Sequence, residues 1–300
     1  MEIMKSDNIE LPLVSFVLPV FNRVKTFEAA LLSIARERDE NYPNLEIVVI
    51  DGGSTDGTAD LIQKHAGMID YWVSERDVGV ADAFNKGVKA ARGEIVRYVA
   101  SDDTLIPDFT RKMVEYLLAH PDIDVLGARS RVLRRDAAGN ESEDFTFTRL
   151  QSGPMNRREV LTWDRRGVFA YIETWFLRRR VFERAGCLDT KLRIATDVEY
   201  AFRLVAAGCR IYVLPDVIVN KVFYADGSNN VSNVARSIAE HRQVIRRHGR
   251  WDERLWFMWT YPQPLPVRLS WGAWLKAVKA WQSLSPGTYR RISAAIKPRP

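Results

Sequence analysis

A strand-like run, Val96 to Ala100, leads into two adjacent carboxylates, Asp102 and Asp103, with no cation following before Arg111. Adjacent like charges repel, so the pair calls for compensation by water, by a protein cation or by a ligand. Hard carboxylate oxygens are what Mg2+ or Mn2+ takes. Taken alone, an Asp-Asp pair after a strand also serves as a cap for the helix that starts near Pro107. Asp51 ends a second apolar run, in LEIVVIDGGSTDGT. A carboxylate there can accept an N–H from the edge of a nucleobase, or with Ser54 cap the next helix. Asp197 opens a third pattern, TDVEYAFRLVAAG. A helix N-terminus favours its ionised form, so it can act as a general base or simply stabilise the helix dipole. Glu199 points roughly 200° away on a regular helix and is the second choice.

These residues need elements to position them. LVSFVLPVF (13–21), LEIVVI (45–50) and EIVRYVA (94–100) are short, near-continuous apolar runs, as parallel strands buried on both faces should be. Between them TFEAALLSIARER places Phe27, Ala30, Leu31, Ile34 and Ala35 on one helical face. TADLIQKHAG and VADAFNKGVKAARG are further helices, each ending at a Gly suited to a C-cap. Alternating strands and helices predict an open α/β sheet whose ligands bind beyond the carboxyl ends of the strands. There the three polar loops PVFNR, DGGSTDGT and SDDT would form a nucleotide crevice. Further on, 124–150 reads as two strands joined by a turn around Ala137–Asn140, and ETWFLRRRVFERAG as strand into helix. Thr196 reads as the N-cap of a helix with Glu199 three residues on and Gly208 closing it.

Four stretches, VSFVLPVFNR, VVIDGGSTDGT, SERDVGVADAFNKGVKAARGEIVRYVASDD and RIATDVEYAFRLVAAG, together resemble the inverting, non-processive family-2 glycosyltransferases of the GT-A fold, over roughly residues 13–225. The resemblance implies a metal-dependent transfer of a sugar from a nucleotide-sugar, UDP-linked, to a saccharide or lipid-linked saccharide in envelope polysaccharide or glycan biosynthesis. It implies that Pro19 and Phe21 wall the nucleoside, that Asp51 reads the base, and that Asp82 and Lys86 meet the diphosphate and sugar. By the same match Asp103 holds Mg2+ or Mn2+, Asp102 faces the ribose or the metal shell, and Asp197 is the catalytic base. On their own residues Phe21 reads as core and Asp82 and Lys86 as a solvated helix face. Ser101 stands where many relatives carry an acid, and Thr196 where the commoner pair has Glu. QVIRR (243–247) echoes the Gln-x-x-Arg-Trp motif of processive synthases with Arg247 in place of the Trp. Two readings compete: a nucleotidyltransferase of similar fold, whose Gly-rich basic loop PVFNRVKTF lacks, and a non-catalytic nucleotide- or glycan-binding protein.

The chain of 300 residues carries a net charge of +6, unevenly spread. Residues 231–300 hold 13 Lys/Arg against 3 Asp/Glu, and six of the nine tryptophans. The expected division is a GT-A domain over 1–230 and a basic, Trp-rich helical extension over 231–300. In LSWGAWLKAVKAWQSL, Trp271, Trp274, Leu275, Val278 and Trp281 share a face flanked by Lys276 and Lys279. Such a helix suits an anionic membrane surface, with residues 265–300 as the contact, or else packing on the body or a second subunit. Nucleic acid is not an expected partner, because the acidic body opposes it. Cys187 and Cys209 form no metal or disulfide pattern. No signal-like h-region or membrane-length run is present, so a cytoplasmic protein, peripheral on the cytoplasmic membrane face, is expected.

Overall fold

The computed structural model describes residues 11–135, 141–143, 153–157, 159–160, 172–224 and 234–250. The apolar runs are strands β1 (Val14–Val20), β2 (Leu45–Asp51) and β4 (Ile95–Tyr98). Every residue of β1 and β2 is buried, because layers of side chains cover both faces of the sheet. With the edge strand β3 (Tyr71–Ser74) they form a parallel set in the order β3-β2-β1-β4. Beyond β4 the sheet is mixed. The short strand β9 (Phe176–Arg178) lies antiparallel between β4 and β6 (Val125–Arg135). The long β10 (Ile211–Tyr224) then runs parallel to β6. Its register shifts between Val213 and Val219, around Pro215, which has no N–H to give the ladder. Two-residue β5 (Thr104–Leu105) closes the row on β10. Strands β7 (Glu141–Glu143) and β8 (Gly153–Met155) add to β6 and β10. The α/β class expected from the sequence is observed, with an unbroken parallel set of four strands in the half that carries the polar loops.

Helix α1 (Phe27–Arg36) buries the five residues its periodicity indicated. Helix α3 (Val80–Ala90) lies so close to the sheet that a Cβ on Gly87 would overlap Val17 Cγ1. The glycine closures expected for α2 (Thr58–Lys64) and α3 are absent: their caps are His65 and Ala91. Gly208 does close α6 (Thr196–Ala206), with bonds from Gly208 N–H to Val205 O and Cys209 N–H to Leu204 O.

The RRR run after β9 works at the other edge of the sheet. Arg178 donates to Leu117 O at the end of α4 (Thr110–Ala119), and Arg179 to Ala91 O after α3. Arg180, and Arg184 of α5 (Arg180–Ala185), grip the buried carboxylate of Asp124, and Arg184 also donates to Ala207 O. Cations thereby close the carboxyl ends of three helices. Helix α7 (Val234–His248) packs on α6, and its Val244 and Ile245 join the core that holds Val198 and Leu204. The turn 136–140, the loop 225–233 and the tryptophan-rich segment lie outside the described residues. Among those residues no helix is long and apolar enough to cross a membrane.

The α3–β1 contact predicts that Gly87→Ala, although it raises helix propensity, destabilises the protein by about 1–3 kcal/mol. Urea unfolding followed by circular dichroism measures this, and an unchanged midpoint would contradict the packing.

Candidate active site

The loops after β1, β2, β3 and β4 open at one edge because the four strands are parallel. The first two are zipped together. Asn22, with left-handed backbone (φ 51°), donates its N–H to Ser54 Oγ at 2.8 Å and accepts from Thr55 N–H at 2.9 Å. Arg23 and Val24 continue the seam onto Thr58 and Asp56. Pro19 is buried in β1, opposite Ile50 and beyond the last residue of β1 that β4 pairs, Val17. Its missing N–H therefore costs no ladder bond on that side. Phe21, just past β1, is 54% exposed, so the core reading of this ring fails and a wall position stays open to it.

Asp51 is fully buried. Its carboxylate accepts from Ser54 N–H, from Ser54 Oγ at 2.5 Å and from Ser74 Oγ at 2.5 Å. As folded, it holds the turn and the end of β3; a base N–H reaches it only where one of the hydroxyls turns away. Nor do Gly52 and Gly53 face a vacant crevice. A Cβ on Gly52 would strike the Asp77 carboxylate, and Gly53 (φ 82°) lies against the backbone of Arg76. They make room for the 75–79 loop. Asp82 accepts from Val78 N–H at 3.2 Å, and Lys86 Nζ lies 2.8 Å from Glu75 and 3.8 Å from Asp82. The hydrogen bond to Glu75 is the main reason the Lys86 ammonium holds its proton more tightly than usual. Both residues brace that same loop.

The Asp-Asp pair is split by burial. Thr26 Oγ1 donates to Ser101 O at 2.9 Å, fixing the approach to the pair. Asp102 is partly exposed, whereas Asp103 is 1% exposed. Asp103 is one of three acids, with Glu37 and Glu173, whose charge favours the cationic form of buried Arg97. Burial still wins there and pushes the guanidinium down to about 9. Solvent reaches Asp102, whereas Asp103, the expected metal ligand, is buried. The capping alternative falls, because α4 takes its N-terminal acceptor from Glu37, which receives Asp108 N–H and Thr110 N–H at 2.9 Å each. Among the described residues no group of three or more His, Cys, Asp or Glu forms a metal cage. The adjacent carboxylates of Asp102 and Asp103 fit Mg2+ or Mn2+ if waters and ligand phosphate oxygens supply the remaining positions.

Asp197 lies partly exposed in the first turn of α6 and accepts from Val198 N–H at 2.8 Å. Glu199 is 1% exposed, bonded through both oxygens to Arg203 Nε at 2.8 and 2.9 Å and to His248 Nε2 at 3.0 Å. Its charge is consumed inside the fold, which removes it as the second choice. The expected capping box is absent: the cap position is Ala195, with no side-chain cap bond.

Two residues that sequence reading passed over tie the 188–197 loop to α3 and to the 75–79 loop. Asn85, mid-way along α3, exchanges two 2.9 Å bonds with the backbone of Leu188. An amide there is a poor helix former and is the signal that could have marked it. Arg193 reaches over Gly79 so closely that a Cβ on that glycine would collide with its guanidinium.

With loops and acids in these places, a family model described as glycosyl transferase family 2 matches residues 15–186. The chain belongs to glycosyl transferase family 2. Among curated members and relatives it is 31% identical over 108 residues to the putative glycosyltransferase EpsH of Bacillus subtilis (strain 168), covering 35% of this chain and 30% of EpsH. It is 32% identical over 110 residues to the putative teichuronic acid biosynthesis glycosyltransferase TuaG of the same organism, covering 36% of this chain and 42% of TuaG. The aligned stretches thus span less than half of either relative. Crystal structures of S. aureus TarS share the fold. TarS 1–349 in complex with UDP-GlcNAc superposes with a TM-score of 0.57 at 21% identity, over 78% of this chain and 65% of that one.

The split between the two acids predicts opposite phenotypes. Asp103→Asn costs about 2 kcal/mol in urea unfolding, since it removes a buried charge that favours the cationic form of Arg97. Asp102→Asn stays within about 0.5 kcal/mol of wild type. The reverse order would assign the buried role to Asp102.

Proposed function

We propose that the chain catalyses inverting transfer of a sugar from a nucleotide-sugar, UDP-linked, to a saccharide or lipid-linked saccharide acceptor in polysaccharide assembly. The observation that carries this reading is the division of labour at the start of α6. Glu199 is locked to Arg203 and His248, while Asp197 stays within reach of solvent on a loop tied to the donor side by Asn85 and Arg193.

In the single displacement, the acceptor hydroxyl oxygen attacks the anomeric carbon opposite the leaving group. The bond from that carbon to the diphosphate oxygen breaks, and the nucleoside diphosphate departs with the electron pair. Asp197 takes the proton of the attacking hydroxyl. Phe21 offers an exposed ring for the base, and the turn held by Asp51 shapes the wall beside it. Asp82 and Lys86 hold the 75–79 loop against the donor. Asp103, with Asp102 beside it facing the ribose or the metal shell, would hold Mg2+ or Mn2+ together with phosphate oxygens of the donor, and the ion would offset charge on the leaving diphosphate. TarS, of the same fold, was crystallised with UDP-GlcNAc and with UDP, which supports a uridine nucleotide as the first donor to try.

Asp197→Asn is expected to lower kcat by about 10²–10⁴-fold. Its Kd for UDP should stay within about twofold of wild type, because the residue acts on the acceptor proton. Product formation from UDP-sugars and calorimetric binding test this; full turnover by the variant would overturn the assignment. The basic, Trp-rich segment 265–300 lies outside the described residues and is proposed to bring the enzyme to a membrane-borne acceptor. Removing it should abolish co-sedimentation with anionic vesicles, and unchanged co-sedimentation would refute that part.

A further inference from the structure

Helix α7 contributes one acid, Glu240, in the otherwise basic VARSIAEHRQVIRRH. That carboxylate is 8% exposed. It turns to the backbone before α6. Its Oε2 accepts the N–H groups of Ile194 at 2.7 Å, Arg193 at 3.0 Å and Ala195 at 3.1 Å. The three amides belong to the segment that carries Arg193 over Gly79 at one end and leads into Asp197 at the other. Ala195 has no side-chain acceptor of its own, so without Glu240 these donors would lose their acceptor in a partly buried place. Two further contacts fix where the clamp stands. Arg247 pairs with Asp189 at 2.5 Å, and His248 meets Glu199 at 3.0 Å.

We propose that Glu240 is a positioning residue for the transfer reaction: by gathering the amides of 193–195 it sets the place of Asp197 relative to the donor loop. This rests on the glycosyltransfer reading above. It makes α7 part of the catalytic unit, so that the unit extends through His248 rather than ending near residue 230. A general base a fraction of an ångström out of place loses reach to the acceptor proton while leaving the donor site untouched. The effect therefore belongs in kcat rather than in nucleotide affinity.

The experiment compares Glu240→Ala, Glu240→Asp and Glu240→Gln in the full chain. Gln keeps an oxygen at the same reach and can still accept the three N–H groups; Asp keeps the charge but withdraws it by one methylene. Expected is a kcat loss of at least about tenfold for Ala and Asp with near wild-type turnover for Gln, and a Kd for UDP within about twofold throughout. Amide hydrogen exchange at 193–197 should speed up at least about tenfold in the Ala and Asp variants. A merely structural cap would lower the melting temperature and leave the folded fraction's kcat alone, which overturns the proposal. If the Ala variant does not fold, the Asp–Gln contrast decides: equal turnover in the two overturns it. A wild type that consumes no nucleotide-sugar is a different failure, because it refutes the transferase reading itself. An active wild type with indifferent variants refutes only the role of Glu240.

Discussion

Strand β1 is paired along β2 for its whole length and with β4 for its first half, and is buried on both faces. A strand in that position has no solvent-facing side on which to carry polar chemistry. Functional groups can appear only where the ladder stops. Parallel neighbours stop at the same edge, so Phe21, Asp51 and the Ser101–Asp103 turn are delivered to one rim by backbone geometry alone. Pro19 fits this plan: it sits where β4 has already left β1, so its absent donor interrupts nothing on that side.

Helix ends in this protein are satisfied from elsewhere in the chain. Helix α4 begins after Phe109 and α6 after Ala195, neither of which offers a side-chain acceptor. Glu37, from the turn after α1, serves the first, and Glu240 serves the second. At the carboxyl ends the guanidinium groups of Arg178, Arg179 and Arg184 do the matching job. Each such bond links two segments distant in sequence, so capping here is also tertiary cross-linking.

Buried charge is handled with the same economy. Arg97 sits inside β4 with its guanidinium 4.9, 4.6 and 5.2 Å from the ring centres of Phe16, Phe109 and Phe176. It donates to Glu173 O and faces the charges of Glu37, Glu173 and Asp103. Truncating any member of such a set leaves a charge stranded in a dry place, which is far costlier than losing an exposed pair. Asp103 is thus the buried acid of the pair and Asp102 the one that solvent reaches.

Strand and helix identity were legible in the sequence because burial on both faces or on one stripe writes itself as local periodicity: LEIVVI reads as a central strand and the α1 stripe was correct at all five positions. The order of the motifs along the chain was enough to indicate the family and the rim on which its acids gather. Which acid does what was not legible. Asp102 and Asp103 are adjacent and chemically identical, Asp197 and Glu199 nearly so, and no local pattern separates them. Only the tertiary structure divides them, by burying Asp103, ringing Glu199 with Arg203 and His248, and leaving solvent next to Asp102 and Asp197. Glu240 escaped for the same reason: its partners lie some 45 residues away, and a hydrogen bond to backbone amides leaves no trace in the residue types of the segment that donates it.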